Sequence, residues 1–323
     1  MSTPITEHAD IPVNERKPFL AYSALALNVP GRPVPLELRV SFPATGTKLP
    51  ILLFSHGHGG TNFLASLHGY GPLVDFFAAH GFAVIQPSHL DAPEYGLREE
   101  DLPDRPLFWR DRATDMHYIL DHLSEIESAV PGLAGRLDHD KIVTVGHSLG
   151  GVTVTSLMGM QVLDPEDARK KDVSDSRITA GVALAPLGIA DEFQGAIAKS
   201  NYPMTQWINF DNMTGKTLVV SGDEDLNPMF SDRLSYRWDA YTLSPGTNKT
   251  LLTFFGARHM LGGISGYDAV ETDGEDPFLV ATLRALTWAY LWSALYPEDS
   301  AWADGVAALE GASHPLGKVE TKK

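Results

Sequence analysis

The sharpest chemical signal in this chain is Ser148, in the stretch Lys141-Ile142-Val143-Thr144-Val145-Gly146-His147-Ser148-Leu149-Gly150-Gly151. It is a Gly-x-Ser-x-Gly pentapeptide with an apolar strand-like run before it and an apolar helical run after it, to about Met160. A strand-to-helix turn this tight leaves no room for side chains at its flanks. Gly146 and Gly150 remove them, and the serine is pushed into a strained conformation that lifts its hydroxyl above the sheet edge. The helix that starts here offers free N–H groups and a positive dipole end. The backbone N–H of Leu149 is therefore the expected first donor to an oxyanion. The competing reading is a glycine-bordered turn that serves packing alone.

A serine hydroxyl needs a base to become a nucleophile. His259 is the candidate, in Gly256-Ala257-Arg258-His259-Met260-Leu261-Gly262-Gly263, just after the strand-like Leu251–Phe255; only His314, in the tail, comes later. The bland alternative is a surface histidine following a strand. An acid should orient the imidazole and stabilise its charged form. Thr217-Leu218-Val219-Val220-Ser221-Gly222-Asp223-Glu224-Asp225 offers three carboxylates after another strand. The chain needs room to turn at Gly222 before presenting a side chain, which selects Asp225. Asp223 and Glu224 are expected to serve the loop or cap a helix. Asp191 is the chief rival.

Tetrahedral oxyanions need at least two donors. Ser55-His56-Gly57-His58-Gly59-Gly60 follows the apolar Ile51–Phe54, and a glycine-rich loop can bring a backbone N–H close. His58 is the expected second donor, through its backbone. A metal pair at His56 and His58 is the alternative, but no carboxylate or third histidine stands at ligand spacing with them. The loop also lacks the lysine and Ser/Thr of a phosphate-binding loop.

Stepping outward from these residues, strands are expected at 18–28, 35–42, 51–54, 82–85, 141–145, 178–184, 217–220 and 251–255. Helices are expected at 72–80, from Asp111 with Met116, Ile119, Leu120, Leu123 and Ile126 on one face, after Ser148, and from Pro277 through Leu291. The alternation predicts an α/β fold, a mostly parallel central sheet with helices on both faces. One catalytic domain spans 1–323, with loop excursions at 87–110 and 186–215 over the site and a mobile tail over 317–323.

With 41 acidic and 25 basic residues the formal net charge is −16, which disfavours nucleic acid and anionic lipid as partners. The absence of cysteine excludes thiolate nucleophiles, disulfides and cysteine metal sites. The polar stretch from Met1 to Asn14 lacks the basic start and apolar run of a signal peptide, so a cytoplasmic location is expected, with secretion left open. No span of a bilayer and no stable membrane insertion are expected. The oligomeric state is left open.

The sequence resembles the α/β-hydrolase superfamily over roughly residues 35–296. Within it, Phe54-Ser55-His56-Gly57-His58-Gly59-Gly60, Trp109-Arg110-Asp111 and Gly146-His147-Ser148-Leu149-Gly150-Gly151 look most like the chlorophyllase and platelet-activating-factor acetylhydrolase branch. The resemblance implies Ser148 as nucleophile, His259 as base, and His58 and Leu149 as oxyanion donors. It departs at the acid. In the platelet-activating-factor group the acid ends the strand after the nucleophile helix. Here that place, in Gly181-Val182-Ala183-Leu184-Ala185-Pro186, holds Ala185. The acid then moves to the later position, Asp225, which weakens transfer of a phospholipid or chlorophyll substrate.

The expected reaction is two-step acyl transfer on a carboxylic ester that is uncharged or weakly polar, without metal or cofactor. Small esters, lactones and polyester chains all stay open. Phe63, Trp109, Trp207 and Met260 are the expected pocket residues, each with a competing core role. An amidase on the same residues, and a silent binding protein of the same fold, are the alternative functions.

Overall fold

The computed structural model describes residues 11–163, 172–190, 202–266 and 269–322. Its strands are β1 (Phe19–Leu27), β2 (Leu36–Pro43), β3 (Leu49–Ser55), β4 (Ala83–Pro87), β5 (Leu137–His147), β6 (Gln161–Val162), β7 (Ile178–Leu184), β8 (Ile208–Asn209), β9 (Thr217–Gly222), β10 (Lys249–Phe254) and β11 (Gly317–Thr321). Its helices are α1 (Gly71–Ala79), α2 (Trp109–Asp121), α3 (Leu123–Ala129), α4 (Leu149–Leu157), α5 (Asp239–Thr242), α6 (Pro277–Leu295) and α7 (Ala301–Gly311). A nine-stranded sheet runs β1-β2-β4-β3-β5-β7-β9-β10-β11, with β6 and β8 as a separate pair. From β4 to β10 all neighbours are parallel; β1, β2 and β11 add antiparallel edges.

The sheet separates two apolar cores. On one face Leu52, Phe54, Val143, Val145, Val182 and Val220 meet residues of α1, α6 and α7. On the other, Ile51, Leu53, Ile142, Ala183 and Val219 meet residues of α2, α3 and α4. Successive strand residues point to opposite faces, so a strand buried on both sides must be apolar throughout. β3, Leu-Pro-Ile-Leu-Leu-Phe-Ser, is buried at every position. α4 is also wholly buried, although Val152, Thr153, Val154 and Thr155 are weak helix formers. Packing against the sheet outweighs that propensity.

Several expectations change. The run from Asp111 to Ile126 is two helices, broken at His122, whose Nδ1 bonds the Tyr118 carbonyl at 2.8 Å. The excursion after Pro87 begins in the core: Ser88, His89, Leu90, Asp91 and Ala92 are all buried. Within the expected mobile tail, Gly317–Thr321 form β11, which pairs with β10 from Thr250–Thr321 to Phe254–Gly317, and α7 packs on α6. α6, with Pro277 at its start and capped by Asp276, is long and apolar enough by length and composition to cross a membrane, contrary to the sequence expectation. Its apolar window is 72% buried against the sheet, α1 and α7, which makes it a core helix here.

Candidate active site

The parallel register sets Phe54 beside Val145 and Ser55 beside Gly146, so the loop after β3 and the turn after β5 leave the sheet side by side. The approach is close. A Cβ on Gly150 would lie 2.0 Å from the Ser55 carbonyl oxygen, and one on Gly146 would lie 2.2 Å from the Gly150 oxygen. Only glycine fits at either position. Between them Ser148 adopts φ 55°, ψ −116°, the strained geometry expected of it, and its N–H donates to the Leu184 carbonyl at 2.8 Å. Ser148 is half-buried at the carboxyl edge of the sheet.

Three segments far apart in sequence converge there. His259 Nε2 is 3.0 Å from Ser148 Oγ, and His259 Nδ1 is 2.9 Å from Asp225 Oδ2. An ionised carboxylate only accepts, so Nδ1 carries the proton and Nε2 is free to accept from the serine. Asp223 and Glu224 turn elsewhere. Asp223 Oδ1 accepts from the Gly256 N–H, and Glu224 pairs with Arg258 on the surface. Asp191 lies outside the described residues. Ala185, at φ 44°, is buried and offers no acid, as the sequence indicated.

Arg237 was not found from sequence. Its Nη2 donates to Asp225 Oδ1 at 3.1 Å, its Nε lies 3.1 Å from Oδ2, and its Nη1 reaches the Ala185 and Pro186 carbonyls. Burial alone would raise the Asp225 carboxyl. The charge and hydrogen bond of His259, together with the Arg237 guanidinium, outweigh it and hold the carboxyl below its ordinary value.

His147, the residue before Ser148, is a strut. Its Nε2 donates to the His259 carbonyl at 2.9 Å and its Nδ1 accepts from the Tyr70 hydroxyl at 2.8 Å. The Tyr70 oxygen in turn accepts from the Gly57 N–H at 3.0 Å. One chain of bonds thus joins the loop after β3 to the loop carrying His259. Burial, then the nearby His259, push the His147 imidazole down to about 3, so it stays neutral in this role.

The loop after β3 is held at nearly every residue. Ser55 Oγ bonds His89 Nε2 at 2.9 Å, and His89 Nδ1 bonds Asp115 at 2.9 Å. This second serine–histidine–aspartate array matches the first in distance, but its members are buried, so no substrate reaches it. His56 directs Nδ1 to the Gly57 carbonyl and accepts the His89 N–H at Nε2, leaving neither nitrogen for a metal. His58 Nδ1 bonds the buried Asp91. Among the described residues, no group accepts from the N–H of His58 or of Leu149, the two expected oxyanion donors.

The pocket residues named from sequence scatter. Met260 is 3% exposed, inside the core on the α1 and α6 side. Trp207 packs against the opposite core. Trp109 lines a cavity of about 140 Å³ with Ser156 and Met160, beyond the far end of α4 from Ser148. Phe63 is 53% exposed in the loop after β3. A row of rings missed by sequence reasoning runs instead from His58 to Tyr202 (6.3 Å), to Phe230 (4.9 Å) and to Tyr236 (6.2 Å), next to Arg237. These rings come from separate loops, and no spacing in the sequence announces them.

Comparison with known proteins agrees with this architecture. The alpha/beta hydrolase family model matches residues 52–317. Platelet-activating factor acetylhydrolase from Bos taurus is 29% identical over 176 residues, covering 43% of this chain and 35% of that protein. The protein of the same name from Cavia porcellus is 27% identical over 175 residues, covering 44% and 36%. The match thus takes in about a third of each relative's length. With a family match over most of its length, and with relatives named as hydrolases, this chain belongs to the alpha/beta hydrolase family.

Proposed function

We propose that the protein is a serine hydrolase that cleaves a carboxylic ester of an uncharged or weakly polar substrate through an acyl-enzyme. The observation that carries the reading is the hydrogen-bonded sequence Ser148–His259–Asp225, set at a strained turn beside two unengaged backbone donors. In this reading His259 Nε2 takes the hydroxyl proton as Ser148 Oγ attacks the carbonyl carbon. The oxyanion forms at the start of α4, facing the N–H groups of Leu149 and His58. Asp225, kept ionised by Arg237, stabilises the imidazolium without taking its proton. His259 then protonates the departing alcohol. A water molecule, deprotonated by the same nitrogen, releases the acid.

Apolar side chains in the loops at this edge of the sheet support an uncharged substrate: Phe63, Leu226 and Met229 are all exposed. The relatives named as acetylhydrolases favour an ester over an amide. Matched p-nitrophenyl esters and p-nitroanilides of graded acyl length test the assignment. The expected result is ester turnover at least about a hundredfold above amide turnover, since the anilide nitrogen is a poorer leaving group than the phenolate oxygen. Equal or faster anilide cleavage would replace the esterase reading with an amidase on the same residues.

A further inference from the structure

His58 carries more than a backbone donor. Its imidazole Nδ1 lies 2.8 Å from Asp91 Oδ2. Asp91 is fully buried, and so is its partner Arg112, whose Nη2 donates to both Asp91 oxygens at 2.7 Å. Arg112 also holds the His56 carbonyl through Nη1 at 2.7 Å. Arg98 completes the frame, donating to the Asp91 carbonyl and to the Gly59 carbonyl, each at 2.6 Å. The residues on either side of His58 are therefore fixed by their backbone carbonyls, and His58 itself is fixed by its side chain.

The placement is expensive unless it has a use. Burying a guanidinium and a carboxylate is strongly unfavourable for each ion alone, and their attraction offsets this only with close geometry. Here the pair is spent on aiming one loop. Burial alone would raise the Asp91 carboxyl, but Arg112 and His58 hold it far below its ordinary value, so it stays ionised and accepts from His58. The proton between them then belongs to Nδ1. The Gly57 carbonyl, in the same peptide plane as the His58 N–H, is held by His56 Nδ1 at 2.7 Å, and the bond to Asp91 anchors the His58 end of that plane.

We propose that His58 is a positioning residue: its imidazole, tethered through Asp91 to Arg112, aims the N–H of the same residue at the oxyanion. The inference rests on the serine-hydrolase reading above. Leucine at this position keeps bulk and loses the tether. Glutamine presents its amide near the Nε2 place and misses Asp91. Asparagine places an N–H donor near Nδ1. For a p-nitrophenyl ester, His58→Leu and His58→Gln should each lower kcat about 10- to 100-fold with KM within about twofold, somewhat less than removal of a whole oxyanion donor. Affinity for a trifluoromethyl ketone, which adds Ser148 to form a bound oxyanion, should weaken by the same factor. His58→Asn should recover most of both losses.

A merely structural role predicts another pattern. The three variants would then fall in step with their loss of folded protein, with kcat per folded molecule and ketone affinity unchanged, and the proposal would be wrong. It would also be wrong if Asn were as impaired as Gln. If His58→Leu fails to fold, the Gln and Asn pair decides alone. Failure of the underlying reading looks different: Ser148→Ala would then retain full turnover.

Discussion

Asp225, the proposed acid, shows how much of a site residue's setting lies outside the motif that points to it. Its position after β9 was legible, because a glycine at 222 and a run of carboxylates announce a strand ending in a functional loop. Ser148 and His259 were legible for the same reason: strand, turn and residue type are local signals. Arg237, Tyr70, Asp91 and Arg112 were not, since each acts through a contact between distant segments and looks in sequence like any other charged or aromatic residue. Asp225→Asn should lower kcat by about 10³- to 10⁴-fold, through the wrong imidazole tautomer. Asp191→Asn should leave turnover within a few-fold; the reverse ranking in folded variants would reassign the acid. Arg237→Met removes the cation that helps hold the Asp225 carboxyl down. The Asp225 carboxyl, followed by carbon NMR of the folded protein, should then titrate at higher pH, and stability should fall by about 3–5 kcal/mol for a broken buried pair. An unmoved carboxyl titration would mean that His259 alone sets the ionisation of Asp225.

Among the elements, the turn between β5 and α4 depends on backbone meeting backbone. A methyl group on Gly150 would be 2.0 Å from the Ser55 oxygen and 2.7 Å from the His56 oxygen, and neither neighbour is a flexible side-chain end. Gly150→Ala should therefore cost about 2 kcal/mol or more, and it should displace the loop that carries His58. Thermal unfolding and ester turnover per folded molecule, measured together, check this; unchanged values in both would show that the two loops can part freely. Element boundaries were less legible than element types. The α2–α3 break at His122 follows from a side chain competing for a helical carbonyl, which apolar periodicity cannot register. β11, Gly-Lys-Val-Glu-Thr, is a half-exposed edge strand, and its polar sequence carries no sign of the partner it finds on β10.

At the scale of the whole molecule, three imidazoles among the described residues are fully buried and held neutral: His56, His89 and His147 all lie below the ordinary value of 6.5, with burial as the largest cause. At these three sites the folded protein binds fewer protons than the unfolded chain, whereas at Asp111 and Asp115, raised by burial to about 6, it binds more. The stabilisation is complete above about 6.5 and is lost as pH falls toward the folded values, about 3 for His147. Each such group removes up to about 1.4 kcal/mol per pH unit in that window. Denaturant unfolding should show stability dropping as pH falls below about 6.5, with Asp111 and Asp115 opposing the histidines below about 6; in Asp111→Asn the drop should steepen, and an unchanged slope there would mean that this carboxyl is not raised in the folded state. The α/β architecture itself was legible from the alternation of apolar strands and helices, because a sheet covered on both faces admits few other sequences. What alternation could not supply was the convergence of loops after β3, β5, β9 and β10 on one edge, and that convergence is the account's central claim. The direct test is reaction of the folded protein with a fluorophosphonate, followed by peptide mass mapping. A single adduct is expected, on Ser148, with adduct and ester turnover both abolished by Ser148→Ala. An adduct on another residue, or turnover that survives the substitution, would overturn it.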